Sequence, residues 1–259
     1  RQWATYQILV EHNLMEHCEI SEATTAGIHQ WLAQREDQTQ AVAMVDLGCG
    51  DLGQLAPLLR TLPLKKYVGL DLTQAVLPLA QHNLGSVPYP CVWEQGDLLN
   101  WACSTQNSRV DLLHSAFALH HLNQDQKLLF LEGARKHIEA NGLFIWADVF
   151  RPNQESRLNY LRRYCQRINQ WPGLSQSQRN SISQHIQTHD FPANRDWLEQ
   201  HANTKGWSIR WAWIGQHNAE AVALLQPIEG IASCFHGKTR SHSPAHQQSD
   251  RFQHGSYKN

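Results

Sequence analysis

No window of the 259-residue sequence approaches the ~18–20 consecutive apolar residues of a membrane span, so no spanning helix is expected. An excess of either charge is missing too: 22 Lys and Arg stand against 23 Asp and Glu. That balance argues against a polycationic nucleic-acid binder, and no nucleic-acid partner is expected. No C-x-x-C pair occurs. The cysteines at 18, 49, 91, 103, 165 and 234 are widely spread and read as reduced thiols rather than a disulfide framework. The first residues show no basic–apolar–small targeting pattern. Together these absences predict a cytoplasmic protein. Histidine is plentiful, with 16 in the chain, but the helix-spaced pair His185 and His189 lacks the glutamate of a zincin motif. Two ligands are too few for a zinc site, so these histidines read as polar surface and no metal is expected.

What is present is an alternation. Residues 3–19 and 22–35 read as helices, from the spacing of Ile8, Leu9, His12 and Met15 and of Ile28, Trp31 and Leu32, with Ser21 as N-cap of the second. The apolar run Ala41 to Val45 reads as a buried strand entering a glycine turn, Asp46-Leu-Gly-Cys-Gly-Asp-Leu-Gly53. Leu55, Leu58, Leu59 and Leu62 form a helical stripe ended near Pro63. Tyr67–Leu70 reads as a strand. Thr73 caps a helix through Leu84, which Pro78 deprives of a backbone hydrogen bond. Cys91–Trp93 and Val110–Leu113 read as strands, followed by a helix over Gln124–Glu139, a stop at Asn141-Gly142 and a strand over Leu143–Ala147. Strands alternating with helices predict an α/β doubly wound, mostly parallel sheet.

The alternation then breaks. Residues 155–171 read as an amphipathic helix with Leu158, Leu161, Cys165 and Ile168 on one face and Arg157, Arg162, Arg163 and Arg167 largely off it. Further helices are expected over Ser175–His189 and Asp196–Lys205. Trp207–Trp213 and Ala221–Leu225 read as an antiparallel hairpin. The expected organisation is N-terminal helices 1–40, an α/β core 41–150, a helical insertion 151–205, a hairpin 206–229 and a flexible tail 230–259.

The chemistry is concentrated at strand ends. Gly48, Gly50 and Gly53 remove Cβ atoms where a ligand approaches the backbone and where positive φ is expected. G-x-G-x-x-G alone also fits dinucleotide enzymes. However, Asp46 and Asp51 crowd this turn, and a carboxylate there repels a pyrophosphate. A cationic nucleoside without phosphate suits the charges better; S-adenosylmethionine (SAM) is one, whereas NAD and FAD are not. Asp71, eighteen residues after Gly53, is placed to accept from both ribose hydroxyls. Leu72 is placed to lie on the adenine, Asp97 to accept from its amino group, and Leu98 to stand as an apolar neighbour. A single Asp at a strand end is as readily a cap or turn former; three after successive strands form a pattern.

These residues resemble the class I SAM-dependent methyltransferases, through Val-Asp-Leu-Gly-Cys-Gly-Asp-Leu-Gly53, Tyr67-Val-Gly-Leu-Asp71, Glu94-Gln-Gly-Asp-Leu98 and Ser115-Ala-Phe-Ala-Leu-His-His-Leu122. The resemblance covers about residues 41–150. It implies a Rossmann-like sheet of seven strands with an antiparallel C-terminal hairpin, SAM across its carboxyl edge, and a small-molecule acceptor. It also implies that Gly48, Cys49, Gly50 and Gly53 pack on the methionine part, and that Ser115, Ala116 and Phe117 border its amino group. The glycine turn has one more residue before its last glycine than the common G-x-G-x-G. The 117–122 loop is not the Asn/Asp-Pro-Pro-Tyr signature of adenine or glutamine N-methyltransferases. Segments 15–20 and 189–192 resemble bacterial family members that bring no known substrate.

Methyl transfer from a sulfonium is an in-line displacement, so the enzyme's task is alignment and exclusion of water. For a hydroxyl or protonated amine acceptor a general base helps, and His120 or His121 is placed for it, with loop position favouring His120. Residues 1–40 and 151–205 are the expected lid, with Tyr6, His12, Met15, His17, Tyr160, Tyr164, Trp171 and His189 as candidates to line the acceptor site. Three alternatives stand beside this reading. One is an RNA or protein methyltransferase docking through the arginines of 157–167; another is a NAD-dependent dehydrogenase; the third is a SAM-binding protein without catalysis. The sequence carries no signal for oligomeric state.

Overall fold

The computed structural model describes residues 2–228, with side chains from Thr5 onward; the expected tail, 230–259, lies outside the described residues. The apolar runs form β1 (Val42–Leu47), β2 (Leu64–Asp71), β3 (Cys91–Gln95), β4 (Val110–Ala116), β5 (Ile138–Arg151), β6 (Ala193–Asn194), β7 (Trp207–Ile214) and β8 (Glu220–Pro227). The main sheet runs β3-β2-β1-β4-β5-β8-β7, and the short β6 pairs with β5 off this path. The first five strands are parallel, and β8 is antiparallel to both β5 and β7. The expected seven-stranded, mostly parallel sheet with a C-terminal hairpin is present.

Alternation along each strand explains the two-sided burial. Met44 and Leu112 join a core under α2 (His17–Ala33), α3 (Ala56–Leu59) and α4 (Leu77–Leu84). Their neighbours Val45 and Leu113 join a core under α5 (Leu98–Cys103), α6 (Gln124–Lys136) and α9 (Arg195–Thr204). A strand buried on both faces needs such an apolar run.

Several local expectations are corrected. The first two helices are α1 (Gln2–Glu11) and α2, and Ser21 lies inside α2 rather than capping it. The break falls at Asn13 and Glu16, both at positive φ (50° and 54°), and the Asn13 side chain accepts from the Cys18 amide at 2.9 Å. Pro78 lies in the first turn of α4, where no hydrogen bond is lost, and Thr73 makes no side-chain cap. Asn141-Gly142 is not a helix stop: α6 ends at Lys136 and both residues sit inside β5. The register shifts there from Val110↔Ile138 to Leu112↔Leu143, and a Cβ on Gly142 would meet the Asp111 carbonyl oxygen at 2.9 Å. The glycine marks a bulge.

The third core joins α1, α7 (Arg157–Asn169) and α8 (Gln176–His189) through Leu9, Leu14, Tyr160, Tyr164 and Trp171. Its face on α7 is the expected one at Leu161, Cys165 and Ile168, but not at its start. Leu158 is exposed at 66%, while Tyr160 and Tyr164 are buried. The arginines are largely committed inward. Arg157 donates to the Asp190 and Gln187 carbonyls, and Arg163 pairs with Glu155. Arg167 pairs with the fully buried Glu220 at 2.7 Å and donates to the Leu14 carbonyl. Only Arg162 of the four is exposed.

Glu16 faces Glu220, and burial followed by that neighbour's charge raises its pKa to about 7. The folded chain therefore holds a proton that the unfolded chain releases near 4.5, and this group's contribution to stability falls as pH rises from about 4.5 to about 7. Glu16→Gln should remove that slope. The stability of the variant relative to the parent, from urea midpoints, should be higher at about pH 8 than at about pH 5. An equal difference at both values would remove Glu16 as the source.

Candidate functional site

Strand order reverses between β1 and β4, the switch point where open α/β sheets bind ligands. A cavity of about 490 Å³ opens there, within the ~300–1,000 Å³ of small-molecule sites. The glycine turn forms one wall. The amides of Gly48 and Cys49 both donate to the Leu70 carbonyl, at 2.7 and 3.0 Å, tying the turn to β2. Asp71 clamps it further: one carboxylate oxygen accepts from the Gly50 amide at 2.9 Å and the other from Thr73 at 2.8 Å.

Positive φ occurs at Gly48 (76°), Gly50 (54°) and Leu52 (59°), but not at Gly53. This corrects the reading of the last glycine: the extra residue of the turn carries the left-handed step, and burial of Leu52 (3% exposed) fixes it there. A Cβ on Gly48 would lie 2.6 Å from the Ala118 Cβ, so the glycine turn and the loop after β4 touch where neither has room to spare.

Asp46, Asp51, Asp71 and Asp97 all line the cavity, and among the described residues no Lys or Arg does. Their oxygens are not equally available. Asp46 is buried and accepts from the Tyr67 hydroxyl at 3.0 Å, with His114 Nδ1 at 2.7 Å, so it is a held charge and not the free carboxylate expected. Asp51 accepts from the Gly53 amide, and Asp97 caps α5 by accepting from the Asn100 amide at 2.8 Å, leaving its second oxygen without a protein donor. Leu72 is exposed at 67% at the cavity rim, with Leu98 nearby.

Of the site residues expected from sequence, Gly48, Cys49, Gly50, Gly53, Leu72, Leu98, Ala116, Phe117 and His121 join these carboxylates in the lining. Ser115 and His120 do not. Ser115 is fully buried and its hydroxyl donates to the Leu47 carbonyl at 2.8 Å. Its neighbour on each side along β4, His114 and Ala116, faces the cavity instead. His114 was therefore missed by one residue, the step that changes faces in a strand.

His120 turns away into the protein. Its amide donates to one oxygen of Asp148 at 3.0 Å and its Nδ1 contacts the other at 2.6 Å. Burial opposes its charge, but Asp148 and then Asp190 outweigh burial and raise its pKa. His121 is half exposed, and burial followed by the neighbouring His120 lowers its pKa to about 4. Of the two, His121 lines the cavity and His120 does not.

The roof comes from α1 and α2, through Tyr6, His17, Ile20, Ser21 and Thr24. Among the described residues no lining group comes from 151–205. That segment supports α1 from behind, and the expected Tyr160, Tyr164 and Trp171 belong to the core there, with Met15 against it. His189 is exposed. His17 stands out: it is 3% exposed, neither ring nitrogen has a hydrogen-bond partner, and burial lowers its pKa to about 4. Its ring lies 5.2 Å from that of Phe117.

Residues 44–142 match the family model described as a methyltransferase domain. Over those residues the chain is similar to methyltransferase domains. No curated protein matches the sequence. Among solved structures, a cyclopropane synthase from Mycobacterium tuberculosis is 16% identical, covering 72% of this chain and 62% of its own, with a TM-score of 0.51. A mitomycin 7-O-methyltransferase is 15% identical, covering 79% and 53%, with a TM-score of 0.51. A magnesium protoporphyrin IX methyltransferase from Synechocystis PCC 6803, with bound SAH, is 14% identical, covering 81% and 85%, with a TM-score of 0.53. The chain thus spans less than two thirds of the first two, and at these identities the likeness is one of fold. The glycine turn, Asp71 and Asp97 fall within the matched residues, while the roof from α1 and α2 lies outside them.

Proposed function

We propose that this chain transfers the methyl group of SAM to a small-molecule acceptor. The observation that carries the reading is electrostatic: among the described residues four carboxylates and no Lys or Arg line the cavity. In a partly dry site such a lining repels a pyrophosphate and attracts a sulfonium and an ammonium group. This disfavours NAD and FAD at the same glycine turn.

Asp71 is assigned to the ribose hydroxyls, since each of its oxygens retains a lone pair after accepting one amide. Asp97 and Leu98 take the adenine edge, with Leu72 against its face. Gly48, Cys49 and Gly50 lie along the methionine part, with Ala116 and Phe117 bordering its amino group. The acceptor then enters beneath the roof, beside Tyr6, His17, Thr24, Phe117 and His121. His17 is neutral near pH 7, so it accepts a hydrogen bond from the acceptor's O–H or N–H and points the nucleophile's lone pair at the methyl carbon. The roof helices exclude water, and the leaving thioether is neutral, so alignment does most of the work. In this arrangement 1–40 is the lid over the acceptor and 151–205 its buttress.

Calorimetric titration with SAM, SAH and NADH separately is the test. SAM and SAH should bind and NADH should not. Asp71→Ala should weaken SAM binding by about 1.5–3 kcal/mol, the scale for hydrogen bonds to a charged group, which is roughly 10- to 150-fold. Tight NADH binding, or an unchanged affinity in the variant, overturns the assignment. A screen of metabolite extracts with radiolabelled SAM identifies the acceptor.

A further inference from the structure

We propose that His120, His121 and Asp190 form a binding site for a divalent first-row transition ion of the zinc type, set in the cavity wall. His120 Nε2 lies 3.7 Å and His121 Nδ1 3.5 Å from the same oxygen, Asp190 Oδ1. Both separations are too long for hydrogen bonds. They are the separations expected of ligands sharing one ion: bonds of ~2.0–2.2 Å at tetrahedral angles put donor atoms about 3.4 Å apart.

The surroundings of the three donors point the same way. Asp148 is a buried carboxylate that receives the His120 amide, the Trp146 indole at 3.1 Å and the Val149 amide at 2.9 Å. At 2.6 Å from His120 Nδ1 it orients the ring so that Nε2 faces Asp190. Asp190 Oδ1 is buried and has no hydrogen-bond partner. A ring nitrogen and an unpartnered carboxylate oxygen therefore face each other across a gap in the protein, an arrangement that a cation relieves. A carboxylate behind a histidine is also the usual second layer of a zinc ligand.

The three donors come from the turn after β4 and the end of α8, and the backbone joins these firmly. The Phe191 amide donates to the His120 carbonyl at 2.7 Å. Lys127 bridges the carbonyls of Leu122 and Phe191, one residue beyond His121 and Asp190 respectively. Two imidazoles and one carboxylate select zinc-like ions over magnesium or calcium, which prefer all-oxygen sets. Three protein ligands leave a position open, as in catalytic rather than structural sites. Since His121 also lines the cavity, that position suits an acceptor oxygen or sulfur. This use rests on the proposed methyl transfer; the ion binding does not.

The test is titration of the whole, chelator-stripped protein with Co²⁺, followed by its visible absorption and by calorimetry, with SAM titrated separately in chelator. The expected result is one ion per chain, with the d–d bands of a low-coordinate nitrogen and oxygen site. Asp190→Asn and His120→Ala should each weaken Co²⁺ binding by at least 10-fold, and Asp148→Asn by 10- to 100-fold. The double variant His29→Ala/His82→Ala, at exposed positions elsewhere, should bind like the parent. Melting temperatures in chelator report whether each variant is folded. If the folded Asp190→Asn protein binds Co²⁺ like the parent, the ion is adventitious and the site is refuted. The same holds if the parent binds none, in which case His120 is an imidazolium shared by two carboxylates. Loss of SAM binding with Co²⁺ binding intact would instead overturn the cofactor reading alone.

Discussion

Arg167→Ala should lower stability by about 3–5 kcal/mol, the scale for breaking a buried ion pair from one side. The guanidinium contacts both oxygens of Glu220, at 2.9 and 2.7 Å, and that carboxylate is fully buried. With the arginine gone, Glu220 keeps only the Tyr164 hydroxyl at 2.7 Å and faces Glu16 across the same space. The Leu14 carbonyl loses a donor as well. Urea unfolding measures the effect, with exposed Arg162→Ala as the comparison, expected within about 0.5 kcal/mol of the parent. Equal effects at the two positions would show that the network contributes nothing. Because Glu16 immediately precedes α2, the loss should spread to the cavity roof and raise the acceptor KM in preparations that remain folded.

His17→Ala should reduce kcat/KM for the acceptor by at least about 100-fold, the lower end of the range for a positioned proton-accepting side chain, while leaving SAM affinity within about twofold. The side chain is buried, unpartnered at both nitrogens and aimed into the cavity from the first turn of α2. A buried imidazole without partners is costly in the free protein, and binding an acceptor that supplies a hydrogen bond recovers that cost. Thermal unfolding should therefore show the variant no less stable than the parent. Full turnover in the variant would transfer the role to His121, a second imidazole of the lining.

The parts of this molecule that were legible in the sequence are those governed by short-range periodicity. Short apolar runs located the strands of the main sheet, and the carboxylates at the ends of β1, β2 and β3 do converge on one cavity. What escaped depended on parity or on distance along the chain. Ser115 and His114 exchanged places because a one-residue shift changes the face of a strand. His120 and His121 are indistinguishable by position, and only Asp148, 28 residues on, draws one of them inward. Asp190 lies about 70 residues beyond both, so no spacing rule joins it to them. Asn141-Gly142 carries the letters of a helix stop, yet pairing with β4 overrides that local preference and turns it into a bulge. The arginines of α7 read as a solvent-facing stripe because their partners, Glu155, Glu220 and the end of α8, are visible only once the chain has folded.

The contact between Gly48 and Ala118 has a consequence for how the two cofactor-side loops change over time. Because a Cβ on Gly48 would need the volume that the Ala118 Cβ already fills, they form one interlocked part rather than two adjustable ones. Gly48→Ala and Ala118→Val should therefore be strongly non-additive when combined, and shrinking residue 118 to glycine should recover only the crowding at residue 48, not the cost of its left-handed backbone. Variation that reshapes the acceptor end is channelled into the roof, where α1 and α2 carry no such constraint, while the two wedged loops drift together or not at all.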